Sequence, residues 1–309
     1  MADYMVHKAV EPTALSAKVR RGLSTPRNWV LSPKYDGCHV IFLFAGGTHV
    51  NTVSRTGESV KSLDHVVPAL LRAYPALLEF GNWAICGEAW SPELEFNEIS
   101  GLFRRQYASP ELKFVPFDIV PWLPNLAFSG PVAYLGERLG DFYKETYDNR
   151  ILSLSWLGSS ICDPLIRPKY TTLLSMTLDE AMRTAVIDAE YYKDQGGYDG
   201  SVLSQADGRY IVGAGKGGEF IKCKPLVSYT VTVTGAALDY GTKTGKNTAA
   251  LKFQLDGREQ KVSTGLTQQQ VEEITAVGWD GYRIEVEAMG KTVNGFLREP
   301  RFKGIRTDA

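Results

Sequence analysis

The chain changes texture at Pro225. Beyond it, residues 228–235, 249–255 and 282–287 are short strand-like runs separated by Gly, Asp and Asn turns. One helix-like segment, 267–275, lies among them. Several short strands with a single helix in about 84 residues suit a small β-barrel of the oligonucleotide-binding (OB) kind. Before Pro225 strands and helices are mixed. Residues 38–44 and 49–54 read as strands joined by the hairpin signal Ala45-Gly46-Gly47-Thr48, and 83–90 and 114–120 as further strands. Residues 13–22 have mixed helical character closed by Gly22, and 63–78 carry Leu63, Val66, Val67, Leu70 and Leu71 at helical spacing. The strongest helix spans 178–193, with Leu178, Met182, Ala185, Val186 and Tyr192 near one face. The 309 residues thus divide into an α+β domain, 1–225, and an all-β domain, 226–309, a length that allows two cores.

Composition excludes several classes. Hydrophobic content of 44% and charged content of 22% are those of an ordinary globular protein. No apolar run approaches the ~20 residues of a membrane span, and the N-terminus has no signal-peptide pattern, so a cytoplasmic protein without a membrane partner is expected. Cys38, Cys86, Cys162 and Cys223 are widely separated and form no C-x-x-C pair, which argues against zinc and against a disulfide framework. The net charge of −1 does not advertise nucleic-acid binding, but basic residues cluster locally. Lys291, Arg298, Arg301, Lys303 and Arg306 form one group, Arg20, Arg21 and Arg27 a second, and Arg104-Arg105 a third. Two glycine clusters carry no phosphate-binding fold. Gly213-Ala214-Gly215-Lys216-Gly217-Gly218 is followed by an alternating strand-like segment and not a helix, and reads as a hairpin turn. Gly241-Thr242-Lys243-Thr244-Gly245-Lys246-Asn247 has glycine spacing one short of a P-loop and Asn in place of Ser/Thr.

Lys34, Arg55, Glu88, Phe117, Asp199, Lys222 and Lys224 gain meaning as an ordered set. In Lys34-Tyr35-Asp36-Gly37 a lysine stands at a strand-to-turn junction, with Asp36 as a metal- or ribose-binding carboxylate beside it. A lysine attacks phosphorus only when neutral, so this reading expects nearby cations or a bound metal to lower its pKa. Lys222 and Lys224 alternate on a strand, point to one face, and can do this while holding phosphates. Glu88 and Asp199 stand beside glycines at strand ends, where carboxylates suit Mg²⁺. Phe117 offers a flat face for a purine. Singly, each is ordinary: an Asp-Gly turn, a core phenylalanine, a solvated lysine face.

The set resembles the covalent nucleotidyltransferases, namely DNA ligases, RNA ligases and mRNA-capping guanylyltransferases, and most of all the small ATP-dependent DNA ligases of the T7-like bacteriophage type. Lys34-Tyr35-Asp36-Gly37 resembles the nucleotidyl-lysine motif, and Ser54-Arg55-Thr56-Gly57 the next motif. Cys86-Gly87-Glu88 is similar to the D-G-E-like strand end, and Phe96-Asn97 with Ser100-Gly101-Leu102 to a segment typical of the phage type. Phe117-Asp118-Ile119 resembles the aromatic strand that stacks adenine. Asp199-Gly200-Ser201-Val202-Leu203 stands where the family has E-G-x-x-V, and Lys222-Cys223-Lys224-Pro225 resembles the closing K-x-K-P. Downstream, Lys261-Val262-Ser263-Thr264-Gly265-Leu266-Thr267 is similar to an OB segment of DNA ligases. Leu297-Arg298-Glu299-Pro300-Arg301-Phe302 with Ile305-Arg306-Thr307-Asp308 is similar to the ligase C-terminal signature, which favours DNA ligase within the superfamily. His39 stands in place of an arginine, Asp199 in place of Glu, Ser204 in place of a lysine, and Ala309 in place of a terminal lysine.

The resemblance implies a nucleotidyltransferase domain with ATP-grasp-like antiparallel sheets and helices, followed by an OB-fold barrel. It implies Lys34 as nucleophile with Asp36, Lys222 and Lys224 in the catalytic set, Glu88 and Asp199 on Mg²⁺, and ATP as AMP donor. Arg55, Glu88, Phe117, Lys222, Lys224, Arg306 and Asp308 would bind the nucleotide or its pyrophosphate, and Arg104, Arg105, Arg298, Arg301 and Lys303 would meet DNA. ATP is expected over NAD⁺, since only 33 residues precede Lys34 and no four-cysteine module is present. The expected partner is nicked duplex DNA, engaged by a monomer. The rival readings are an RNA ligase or capping guanylyltransferase, and a non-catalytic OB-containing nucleic-acid-binding protein.

Overall fold

The computed structural model describes residues 6–75, 81–121, 145–156, 162–193, 195–241, 245–292 and 294–306. The chain forms two compact units, Met1–Lys224 and Pro225–Ala309.

The first unit contains β1 (His7–Lys8), β2 (Arg27–Tyr35), β3 (Cys38–Ala45), β4 (Thr48–Ser54), β5 (Asn82–Trp90), β6 (Lys113–Pro121), β7 (Thr171–Met176), β8 (Tyr198–Gln205), β9 (Gly213–Ala214) and β10 (Phe220–Cys223). Two four-stranded antiparallel sheets result, in the orders β4-β3-β5-β6 and β10-β8-β2-β7, while β1 and β9 form a short parallel pair. The run Val40-Ile41-Phe42-Leu43-Phe44 is apolar at every position because β3 is covered on both faces. Val40, Phe42 and Phe44 join a core with Leu63, Val66 and Leu70, whereas Ile41 and Leu43 pack with Val53, Ala84, Cys86 and Val120. In the other sheet Trp29, Leu31, Leu173, Leu203, Ile221 and Cys223 pack on the Leu178–Lys193 helix through Leu178, Ala181 and Ala185. Alanines on that face let the helix approach closely, and Ala181 and Ala185 are fully buried.

Several elements differ from the sequence expectation. The 63–78 segment is a 3-10 turn, Asp64–Val66, continued by a short helix, Val67–Ala73, with Pro68 at its first turn. The Phe96–Phe103 helix, opened by a capping box in which Glu98 accepts from Glu95 N–H at 3.0 Å, went unpredicted, as did the Tyr147–Trp156 helix. The Gly213–Gly218 cluster makes a turn, Gly218 N–H to Gly215 O at 3.4 Å, within a longer connection from β8 to its antiparallel partner β10. It is therefore no tight hairpin: Gly213 and Ala214 are spent on pairing with β1.

The second unit contains β11 (Val227–Gly241), β12 (Lys246–Leu255), β13 (Arg258–Val262), β14 (Arg283–Ala288) and β15 (Arg301–Ile305), with the Gln268–Val277 helix between β13 and β14. The strand order is β13-β12-β11-β14-β15, antiparallel throughout. A bulge between Val233 and Gly235 bends β11, whose first half pairs with β14 and second half with β12. Phe302 N–H donates to Thr264 O at 2.8 Å, joining β15 to the segment just past β13. Leu251, Phe253, Ile284, Val286 and Trp279 fill the interior. This is the topology of an OB fold, a sheet curled into a partly open barrel.

Candidate active site

Lys34 lies near the end of β2, opposite an irregularity in β8. Pro33 pairs with Ser201 and Tyr35 with Tyr198, so Asp199 and Gly200 together face Lys34 alone. Such a bulge re-aims a side chain. Here it brings Asp199 to Lys34, with Oδ2 2.7 Å from Nζ, and the same oxygen lies 3.2 Å from Lys224 Nζ. Gly200 is required at this spot: its φ is +114°, and a Cβ would fall 2.2 Å from Cys223 O of the neighbouring strand. On β10, Ile221 and Cys223 face the core, which leaves Lys222 on the opposite face, 3.4 Å from Glu11 Oε1.

The turn after the lysine is held from two sides. Asp36 N–H donates to Gly197 O at 3.0 Å, beside β8. Gly37 lies so close to β5 that an added Cβ would meet Ala89 O at 2.2 Å and Glu88 Cγ at 2.8 Å. Glu88 is thereby brought next to Lys34. Burial pushes its carboxyl up to about 8; Lys34 opposes the rise, and the negative charges of Asp36 and Asp199 add to it.

A polar row crosses one face of the β4-β3-β5-β6 sheet at the edge of the apolar cluster of Ile41, Val53 and Cys86. His39 on β3 faces Glu88 on β5. Phe117 is the extra residue of a bulge in β6, between Pro116 opposite Gly87 and Asp118 opposite Cys86. It is half-buried, its carbonyl accepts from Tyr147 Oη at 3.3 Å, and its ring centroid lies 5.7 Å from that of His39. Arg55 is exposed in the turn after β4, where Gly57 N–H bonds Ser54 O at 2.9 Å. Burial and then the Arg55 charge lower the His39 imidazole to about 4, so it is neutral at physiological pH.

One expectation is reversed. Lys222 and Lys224 do not lower the pKa of Lys34. Burial alone would lower it, but Asp199, Glu88 and Asp36 outweigh burial and hold the amine above its ordinary value. The reason is geometric: Asp199 sits between Lys34 and Lys224 and binds both. The resting amine is an ammonium.

Glu88 and Asp199 offer only oxygen donors, the kind Mg²⁺ takes, and a cation beside them would offset the burial, and the smaller repulsion from Asp36 and Asp199, that raise the Glu88 carboxyl. Among the described residues no group of three His, Cys, Asp or Glu side chains forms a metal cage. A cation held here would complete its shell with water or phosphate oxygens.

Arg104 and Arg105 are exposed just after the Phe96–Phe103 helix; Arg104 is near enough for its charge to act on Cys38, and Arg105 lies 5.6 Å from the Tyr107 ring. Arg298, Arg301, Lys303 and Arg306 belong to the second unit, where Lys303 pairs with Glu287 at 3.0 Å and Arg306 with Glu285 at 3.7 Å. Asp308 and Ala309 lie outside the described residues. Ser204, where the family has lysine, is fully buried between Val30 and Phe220, a place that an ammonium would find costly.

Sequence reading missed the support behind Phe117. Arg150 and Asp118 form a buried bidentate pair, Nε–Oδ1 2.7 Å and Nη2–Oδ2 3.1 Å, and Arg150 also donates to Glu145 O and Gly208 O at 2.8 and 3.2 Å. Three chain segments are thus tied at the residue next to Phe117. Only the position of Asp118 beside the aromatic residue hinted at this.

No protein-family model matches the sequence, and no curated protein matches it. Solved structures do. One designated Pmar-Lig_Pre has a TM-score of 0.73 at 18% identity, covering 99% of this chain and 68% of its own. A structure from a structure-function study of Lig E DNA ligases has a TM-score of 0.64 at 18% identity, covering 99% of this chain and 100% of its own. The ATP-dependent DNA ligase of bacteriophage T7 in complex with ATP has a TM-score of 0.50 at 17% identity, covering 97% and 98%. The chain therefore has the fold of ATP-dependent DNA ligases, a nucleotidyltransferase unit followed by an OB-fold unit.

Proposed function

We propose that this protein is an ATP-dependent DNA ligase that seals 5′-phosphate/3′-hydroxyl nicks in duplex DNA through a covalent lysyl-AMP intermediate. The observation that carries the reading is the Lys34–Asp199–Lys224 triad at 2.7 and 3.2 Å, with Glu88 beside it. An amine, two acidic side chains and a second cation converge there, as phosphoryl transfer needs. Residues 1–225 are read as the adenylation domain and 226–309 as the OB-fold domain.

Lys34 Nζ attacks the α-phosphorus of ATP, the bond to the β-phosphate oxygen breaks, and pyrophosphate leaves. The nick's 5′-phosphate then displaces the lysine from AMP, and the adjacent 3′-hydroxyl displaces AMP to close the strand. Mg²⁺ held by Glu88 and Asp199 would neutralise phosphate charge. Once the charge of those carboxylates is engaged, they no longer favour the ammonium form, and Nζ gives up its proton to solvent before it attacks. Lys222 and Lys224 would hold phosphates, Arg55 the sugar or phosphates, and Phe117 the base. Arg306 and Asp308 would serve the leaving pyrophosphate, and Arg104, Arg105, Arg298, Arg301 and Lys303 the DNA backbone.

The test is one reaction. Labelled ATP and Mg²⁺ are added to purified protein, followed by a nicked duplex. The reading predicts label on the protein, then on the nick, then a sealed strand, and none of these from Lys34→Ala. Labelling by GTP, or sealing of single-stranded RNA without nicked DNA, would select the RNA ligase or capping reading instead. Tight nick binding without lysyl-AMP would select the non-catalytic one.

A further inference from the structure

Lys34, Glu88 and Asp199 each have an aromatic neighbour in the chain, and the three rings meet. Tyr35 follows Lys34, Tyr198 precedes Asp199, and Trp90 stands two residues after Glu88. Ring centroids are 5.1 Å apart for Tyr35 and Trp90, 5.4 Å for Trp90 and Tyr198, and 5.3 Å for Tyr35 and Tyr198. Tyr35 and Trp90 are buried, and Tyr198 packs against the same core. The three strands that carry the reactive side chains, β2, β5 and β8, are therefore joined ring to ring beside the site.

Apolar packing is non-directional and fixes how near these strands lie more firmly than how they are aligned. A hydrogen bond supplies the alignment. Trp90 Nε1–H donates to Gly197 O at 2.7 Å, and the same carbonyl accepts from Asp36 N–H at 3.0 Å. One oxygen thus ties β5, the turn after Lys34 and the chain entering β8. The local sequence is built for this contact. Gly196 and Gly197 have φ of +68° and +71°, and a Cβ on Gly197 would stand 3.0 Å from Trp90 Cζ2 and 3.1 Å from its Nε1. A larger residue at 197 would push the indole away from the carbonyl that it binds.

We propose that Trp90 is a positioning residue for lysyl adenylylation: its indole N–H holds the Gly197 carbonyl, and through it the Asp36 turn, so that Lys34, Asp199 and Glu88 stand in reacting register. The inference rests on the adenylylation reading and adds to it a residue outside the chemistry itself. The experiment follows single-turnover labelling of the full-length protein by ATP and Mg²⁺ for the wild type, Trp90→Phe, Trp90→His and Trp29→Phe, with urea midpoints for each. Phenylalanine keeps a ring and loses the donor, whereas histidine carries Nε2 at the ring position that bears Nε1 in indole and can donate from it. Trp29 is the matched control, fully buried near the start of β2, with Nε1 donating to Met176 O at 3.0 Å.

Loss of this one hydrogen bond should slow the maximal labelling rate of Trp90→Phe about tenfold while its KM for ATP stays within about twofold. Trp90→His should label within about threefold of the wild type, although it lacks the outer ring too. Trp29→Phe should lower the urea midpoint as Trp90→Phe does and label at the wild-type rate. Wild-type labelling by Trp90→Phe, equal slowing in Trp90→Phe and Trp90→His, or equal slowing in Trp29→Phe would overturn the assignment while leaving lysyl adenylylation intact. Should Trp90→Phe fail to fold, Trp90→His decides alone: labelling within about threefold of the wild type supports the assignment, and slowing of about tenfold or more overturns it. A wild-type protein that takes no label from ATP would remove the adenylylation reading itself.

Discussion

Replacing Gly37 with alanine puts a methyl group 2.2 Å from the Ala89 carbonyl oxygen and 2.8 Å from Glu88 Cγ. Ala89 O does not yield cheaply, because it belongs to the backbone of an interior strand paired on both sides. Ordinary contact begins near 3.4 Å, so the Asp36-Gly37 turn must retreat from β5 by roughly 1.2 Å. The same turn is tethered on its other side by Asp36 N–H to Gly197 O, and it carries Lys34 and Asp36 with it. Overpacking of this kind costs about 1–3 kcal/mol, and a misplacement of about 1 Å at a reacting group costs on the order of a hundredfold in rate. Single-turnover transfer of label from ATP to protein should therefore fall by about two orders of magnitude, with a lowered midpoint in urea. Gly101→Ala is the matched control: nothing lies within 4 Å of its added Cβ, and it sits inside the Phe96–Phe103 helix. That variant should gain about 0.5–1 kcal/mol and label normally. A Gly37→Ala protein that unfolds and labels like the wild type would refute the claim that close approach of β5 positions the lysine turn.

Two further predictions concern the layer behind the site. Arg150→Met leaves the Asp118 carboxylate buried and unpaired, since the two side chains are 0% and 1% exposed, and should cost about 3–5 kcal/mol. Adding Asp118→Leu should recover much of that loss, and a double variant no more stable than the single one would contradict the pairing. His7 is stacked on Phe220 at 4.1 Å, and burial followed by the Arg150 charge lowers its imidazole to about 3. Above the ordinary value of 6.5 neither state holds the proton; below it the unfolded chain takes one that the folded chain refuses, so stability falls as pH falls. By pH 5 this amounts to about 2 kcal/mol, which His7→Phe should abolish. Urea titrations at pH 7.5 and 5 decide the matter; the same pH dependence in both proteins would contradict it.

What the sequence revealed follows from the range of each signal. The period-two alternation of strands is local, so Lys222 and Lys224 could be assigned to one face without knowing what they meet. The paired carboxylate could not be foreseen in the same way. Lys34 and Asp199 are 165 residues apart, and their contact depends on the β2–β8 register and a bulge that only tertiary structure sets. For that reason the sign of the Lys34 shift was expected wrongly: Lys222 and Lys224 were read as bringing positive charge to it, but Asp199 binds both Lys34 and Lys224. Arg150 was invisible because a lone arginine in a polar helix reads as surface, and its partner lies 32 residues away. The OB topology was legible from turn chemistry, yet β13 and β15 escaped notice, being five residues each and rich in charge.

On the proposed function, one lysine, held as an ammonium in the resting site, becomes the carrier of AMP. Mass spectrometry of peptides from the full-length protein, after incubation with ATP and Mg²⁺, reads this out directly. A single AMP adduct is expected on Lys34, and it should disappear when a nicked duplex is added. An unmodified Lys34, or an adduct carried by any other residue, would contradict it.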